Sequence, residues 1–124
     1  MVAAGGNTPE AQQHRFILGL NMIAVTRLFL KDVNIAATTA LQALNPLGRE
    51  LGLKAGANIL MPIVTLPQFR SDYLLYDNKP CVEDSPDQCR NCLSARVASV
   101  GDTVGFGKWG DSPHYFREHE GAGK

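Results

Sequence analysis

Three cysteines are the residues of this sequence best suited to bind a metal. Seven residues separate Cys81 from Cys89, and two residues separate Cys89 from Cys92. A Cys-x2-Cys pair can direct two thiolates at one metal from a turn or from the start of a helix. The three thiolates could hold an iron–sulfur cluster, or zinc with a fourth ligand from His114 or His119. Three unliganded thiols in a loop remain the alternative.

A second candidate site lies at the ends of two predicted strands. Thr38 and Thr39 follow the apolar segment 33–37, and Met61 lies near the end of the apolar run 58–62. In barrels and open α/β sheets, ligands bind at the carboxyl ends of parallel strands. The alternatives are threonines that only cap the next turn and a methionine that fills a gap in the core.

Aromatic side chains follow this second site along the chain. Tyr73 and Tyr76 could stack on an adenine, or they could simply seal the mouth of a barrel. Arg70 beside them could bind a carboxylate, although most exposed arginines are only solvated.

Three helices are expected to position these residues. Residues 8–10 combine an N-cap threonine, a proline and an acid, and apolar residues then recur at helical spacing until the helix ends near residues 31–32. A second amphipathic helix is expected to begin with Asn45 as its cap and to stop near Gly56. A third should run over residues 86–100 and end at Gly101.

The two apolar segments 33–37 and 58–62 are predicted strands that alternate with helices. This alternation predicts an α/β fold whose parallel strands are covered by helices, as in a barrel or a doubly wound sheet. Two strands alone would leave both sheet edges unpaired, because each parallel strand needs neighbours on either side. The sequence therefore predicts part of a larger fold, or a chain that assembles with others.

The composition and charge of the chain argue against some classes of protein. The chain has 124 residues, 44% of them hydrophobic, and its 12 basic and 12 acidic residues balance to zero without forming blocks. This pattern argues against binding to nucleic acid or to an anionic membrane.

The longest apolar stretch, residues 16–30, is interrupted by Asn21 and Arg27 and is too short to cross a bilayer of roughly 30 Å. No secretory signal pattern is present, so a cytoplasmic protein is expected.

The chain divides into three expected regions. Residues 1–7 form a flexible start, residues 8–100 form the main segment with a cysteine loop at 81–92, and residues 101–124 form a glycine-rich tail. The sequence contains no Cys-x3-Cys-x2-Cys motif, no Walker loop and no Gly-x-Ser-x-Gly motif. No catalytic residue is therefore assigned.

Four runs of sequence and the cysteine triplet resemble, in order and spacing, the C-terminal third of the radical S-adenosylmethionine (SAM) FeFe-hydrogenase maturase HydE family. These runs are residues 34–41, 46–50, 55–62 and 70–76. The resemblance covers roughly residues 7–100. It implies the last part of a (βα)8 TIM-type barrel whose N-terminal half carries a 4Fe–4S cluster, in an enzyme that acts in assembly of the hydrogenase active-site cluster.

The resemblance also implies roles for individual residues. Met61, Tyr73 and Leu75 would line the SAM side of the barrel, and Thr38 and Thr39 would face the substrate cavity. The cysteines Cys81, Cys89 and Cys92 would hold an accessory iron–sulfur cluster, of the 4Fe–4S or 2Fe–2S type.

This sequence lacks the Cys-x3-Cys-x2-Cys motif that would hold the SAM-cleaving cluster, so an N-terminal barrel half is the first implied partner. SAM would bind once an N-terminal barrel half completes the site, and self-association or other hydrogenase maturation proteins are the further expected partners. Ile63 departs from the family pattern, which has asparagine after Met-Pro.

Two alternative functions remain open at this point. The chain could be a small non-catalytic metal-binding module that uses the three cysteines without SAM. It could also be the closing segment of another radical SAM enzyme, such as a relative of biotin synthase or methylornithine synthase.

Overall fold

A computed structural model describes residues 8–73, 79–80 and 85–119 of the chain. It contains six α-helices, α1 to α6, and a short 3-10 helix among these residues. The helices are α1 (Pro9–Leu30), α2 (Thr39–Leu44), α3 (Gly48–Ala55), α4 (Pro67–Arg70), α5 (Pro86–Ser99) and α6 (Pro113–His119), with the 3-10 helix at Ser71–Tyr73.

Helix α1 begins and ends as its sequence predicts. The Thr8 hydroxyl accepts a hydrogen bond from the Ala11 amide over 3.2 Å, and Pro9 occupies the first helical position. The helix ends where Lys31 takes a positive φ of 40°. Phe16 and Ile23 are buried on its inner face.

Helix α2 was not predicted, and the helix expected to start at Asn45 begins later, at Gly48. Asn45 ends α2, where its amide donates to the Leu41 carbonyl over 3.0 Å, and its Oδ1 accepts from the Leu47 amide over 2.9 Å just before α3. Pro46 disfavours a helical conformation at the residue before it, so the chain stays extended at Asn45. Helix α3 then begins at Gly48, which lies so close to the Leu41 carbonyl that a side chain would have no room.

The two predicted strands lie side by side and run parallel, but they pair at one bridge, between Ala36 and Ile59. The Ala37 amide donates to the Ile59 carbonyl over 2.9 Å, and the Ile59 amide donates to the Ile35 carbonyl over 3.1 Å. Within the described residues this bridge is not extended into longer strands. The parallel direction of the two segments was expected. The (βα)8 barrel remains a proposal.

The core lies where α1 and α2 cover this bridge, and it contains Phe16, Ile23, Ala37, Leu41 and Ala57. Contacts of α3 with α1, α2 and α5 connect the rest of the chain to this core.

Helix α5 matches the predicted helix over 86–100. A capping box stabilises its start: the Ser85 amide donates to the Gln88 side chain over 2.7 Å, and the Gln88 amide donates to the Ser85 hydroxyl over 3.2 Å.

Residues 113–119 of the glycine-rich tail, where no helix was predicted, form α6. The Arg117 side chain forms an ion pair with Asp32, and the Asn34 side chain donates to the Gly110 carbonyl over 2.6 Å. These contacts hold the tail against the end of α1. None of the described helices is long and apolar enough to cross a membrane.

Candidate functional site

Two of the three predicted metal ligands lie on one helix. Cys89 and Cys92 both belong to α5, where a spacing of three residues places side chains one turn apart on neighbouring faces. Cys89 is fully buried, at 0% exposure, in one row with Leu93 and Val97, whereas Cys92 is partly exposed. Cys81 lies outside the described residues. Cys89 therefore packs in the buried row of α5, and Cys92 lies at the partly exposed edge of the same helix.

An ion pair fixes the part of α5 that carries Cys92. Arg96, one turn after Cys92, donates to Glu50 Oε1 over 2.6 Å and to the Pro46 carbonyl over 3.1 Å. Burial lowers the pKa of Arg96, but hydrogen bonding to Cys92 and the charge of Glu50 outweigh it, so this pKa is raised. The guanidinium therefore stays charged and ties the start of α3 to α5.

The histidines considered as zinc ligands lie on α6 and have other contacts. His114 Nδ1 is 3.7 Å from Asp32 Oδ1, and His119 is stacked on Tyr115 with ring centroids 4.1 Å apart. Across residues 8–73, 79–80 and 85–119, no three metal-binding side chains form a cluster.

Thr38 has the capping role that was weighed as its alternative. Its hydroxyl accepts a hydrogen bond from the Leu41 amide over 3.4 Å at the start of α2, and Thr39 beside it is partly buried. Both threonines lie where the segment that pairs with Ile59 ends. The parallel direction of this segment relative to the Ile59 segment was expected. Helix α2, which begins directly after it, was not expected.

Two of the three predicted SAM-side residues are exposed. Met61 is 60% exposed and Tyr73 is 57% exposed, while Leu75 lies outside the described residues, as does Tyr76.

Arg70 was expected to be solvated or to bind a carboxylate. It is 3% exposed, and its Nε donates to the Thr65 carbonyl over 2.7 Å, so the expectation of a solvated side chain was wrong.

Arg27 is a central polar residue that sequence reasoning did not identify. Its Nε donates to the Gly56 carbonyl over 2.8 Å, and its Nη1 donates to the carbonyls of Lys31 and Val33 over 2.6 and 2.8 Å. Its Nη2 donates to Asn58 Oδ1 over 3.1 Å. Arg27 therefore connects the end of α1 to the turn that leads into the second bridge segment.

The Gly56-Ala57-Asn58 stretch, which carries part of the family resemblance, forms that turn. Gly56 has φ 122° and ends α3, and the Ala57 amide donates to the Gly52 carbonyl over 3.0 Å. Asn58 Oδ1 accepts from the Ile35 amide over 2.8 Å. The stretch thus sets the register between the two parallel segments.

A cavity of about 680 Å³ lies between residues 57–62, α5 and the tail. Leu60, Leu93, Val97 and Phe106 contribute to its mainly apolar wall, and Arg90 lies over the Phe106 ring at 4.7 Å from the centroid. This cavity was not predicted, because the tail that closes one side of it has no periodic pattern in its residues.

Comparison with known proteins identifies one similar class, the hydrogenase maturases. No family model matches the chain. The chain is 38% identical over 112 residues to the FeFe hydrogenase maturase subunit HydE of Thermotoga maritima, an alignment that covers 89% of this chain and 32% of that protein. The predicted resemblance to HydE is therefore confirmed, and the chain spans about a third of the length of this relative.

Proposed function

We propose that this chain is part of a HydE-type radical SAM enzyme that acts in assembly of the FeFe-hydrogenase active-site cluster. The observation that carries the proposal is the 38% identity to HydE over 89% of the chain. The chain spans 32% of that relative and its sequence has no Cys-x3-Cys-x2-Cys motif, so the SAM-cleaving cluster would be held by further polypeptide.

The parallel bridge supports the proposed barrel. Segments 35–37 and 57–59 run in the same direction, and helices α2 and α3 lie between them in sequence. A strand, a helical crossover and a parallel strand make up the repeating unit of (βα)8 barrels. The chain would contribute one such unit, with α5 as the next helix.

The ends of the two parallel segments form the proposed SAM and substrate face. Thr38 and Thr39 follow the first segment and Met61 follows the bridge residue Ile59 of the second, so all three lie at the carboxyl side of parallel backbone. Tyr73 and Leu75 would complete the SAM side. The exposure of Met61 and Tyr73 is in keeping with a surface that other polypeptide covers.

The cysteines are the proposed accessory iron–sulfur site. Cys89 and Cys92 would supply two thiolates from α5, and Cys81 would supply the third. A cluster bound there would add a redox-active metal centre to the protein. The chain's own contribution is to hold Cys92 in place through the contacts that Arg96 makes with Glu50 and Pro46.

Anaerobic reconstitution with iron and sulfide tests the cysteine assignment. We expect the wild-type chain to retain iron after desalting, with thiolate-to-iron absorbance, and Cys92→Ser to lose most of both because a hydroxyl is a poor ligand for iron. Ser94→Ala, on the same helix, is the matched control and should load like the wild type. Equal iron retention by Cys92→Ser and the wild type would contradict the assignment.

A further inference from the structure

Arg49, in the first turn of α3, is a buried cation for which the described residues provide no visible partner. The residue is 1% exposed, and its Nε and Nη2 atoms have no hydrogen-bond acceptor. An arginine guanidinium carries a permanent positive charge in proteins. A buried and unpaired charge is strongly unfavourable, which indicates that a counter-charge belongs beside it.

The adjacent acid does not provide that counter-charge. Glu50 follows Arg49 in the helix, and successive helical side chains point roughly 100° apart. Its Oε1 atom accepts a hydrogen bond from Arg96 over 2.6 Å, and its Oε2 atom is buried without a hydrogen-bond partner, so neither oxygen is bonded to Arg49.

The two unpaired atoms of Arg49 define the kind of group that fits. Nε and Nη2 lie on the same edge of the planar guanidinium and form a two-pronged donor. Carboxylate and phosphate accept both hydrogen bonds of such an edge at once, in a bidentate arrangement.

The neighbouring helices provide further polar atoms without partners. Arg15 Nε on α1 and Gln42 Oε1 on α2 are also buried and unbonded. Gly48, the residue before Arg49, lies against the Leu41 carbonyl and the Gln42 amide. Gly19, one turn after Arg15, lies against the Leu41 side chain on the other side. The three residues therefore belong to the junction where α1, α2 and α3 meet.

The start of α3 favours negative charge as well. Its N-cap residue, Leu47, has no side chain that can accept hydrogen bonds from the first-turn amides. The amino end of a helix carries partial positive charge, so an anion near it is stabilised.

We propose that Arg49 binds a small oxyanion, a carboxylate or a phosphate, at the junction of α1, α2 and α3. The near-complete burial of Arg49 favours a small ion over a macromolecule as its partner. This site is separate from the cysteines and from the SAM face, and it does not depend on the proposed function.

Thermal unfolding of the whole chain tests the site. Sodium phosphate or sodium acetate is added at constant ionic strength, with sodium chloride as the balancing salt. An anion at ten times its dissociation constant should raise the unfolding midpoint of the wild type by roughly 5 °C, since it binds the folded state. Arg49→Met should lose this rise. In chloride alone it should be at least as stable as the wild type, because an unpaired charge has been removed.

Two further variants make the test specific. Arg49→Lys keeps the charge but loses the two-pronged edge, so its response should be weaker than that of the wild type. Arg90→Met removes an exposed arginine from α5 and should respond like the wild type. The proposal is overturned if neither anion stabilises the wild type more than chloride does, or if Arg49→Met responds equally. It is also overturned if Arg49→Met is markedly less stable in chloride, since Arg49 would then already have a partner.

Discussion

The Arg27 side chain organises the turn that follows α3, at residues 56–58, which belongs to no helix. Its four hydrogen bonds reach the end of α1, the end of α3 and the Asn58 side chain. From the sequence, Arg27 only interrupts an apolar helix. Its role could not be predicted, because three of its four acceptors are backbone carbonyls, whose positions leave no trace in residue types.

Arg27→Lys should destabilise the chain although it keeps the charge. A lysine ammonium cannot spread its donors over the same acceptors, so we expect the free energy of unfolding to fall by about 2 kcal/mol. Urea unfolding followed by circular dichroism measures this change. Arg90→Lys, at an exposed position, should change it by less than about 0.5 kcal/mol. Similar values for the two variants would contradict the role of Arg27.

At the scale of elements, local signals predicted α1, α3 and α5 but missed the shorter helices α2 and α6. Thr8 with Pro9, and Ser85 with Pro86, mark the starts of α1 and α5 through capping chemistry that acts within a few residues. Helix α2 has six residues and α6 has seven, too few for a periodic pattern. Contacts distant in sequence, such as that of Arg117 with Asp32, hold α6 in place.

The turn at Gly56 gives a prediction at this scale. Gly56 has φ 122°, and a Cβ atom there would lie 2.9 Å from Arg27 Cβ. Gly56→Ala should therefore lower the free energy of unfolding by about 1–3 kcal/mol, through backbone strain and crowding. Chemical denaturation measures the difference.

Gly110→Ala is the matched control for this variant. Nothing lies within 4 Å of a Cβ at Gly110, so its effect should stay within about 0.5 kcal/mol. If both glycine variants were equally stable, the turn would not need glycine at position 56.

Several large apolar side chains are exposed in the part of the chain that the structure describes. Large side chains on the outer face of α1 are open to solvent, with Leu28 75% and Phe29 82% exposed, and Val64 is 77% exposed. Neighbouring exposed apolar side chains, such as Leu28 and Phe29, often mark surfaces that other polypeptide covers. This agrees with the short extent of the bridge between the two parallel segments and with the expectation, drawn from the number of strands, of part of a larger fold.

The sequence predicted the spacing of the cysteines in the candidate site, but it did not predict the burial of Cys89 or the cavity beside α5. The spacing of Cys89 and Cys92 predicted two neighbouring thiols, and the structure places them on α5. The burial of Cys89 could not be predicted, because it depends on Leu93 and Val97 lying in the same row of a packed helix. The wall that the tail adds to the cavity depends likewise on packing between distant segments.

Reductive cleavage of SAM tests the central claim most directly. The chain is combined anaerobically with a HydE polypeptide that carries the Cys-x3-Cys-x2-Cys motif and lacks the region matched here, and 5′-deoxyadenosine is quantified after a reductant is added. We predict that the combination forms 5′-deoxyadenosine well above the level of either polypeptide alone, and that Met61→Lys lowers this yield at the proposed SAM face. A folded, cluster-loaded mixture that forms no more product than the motif-bearing polypeptide alone would contradict the account.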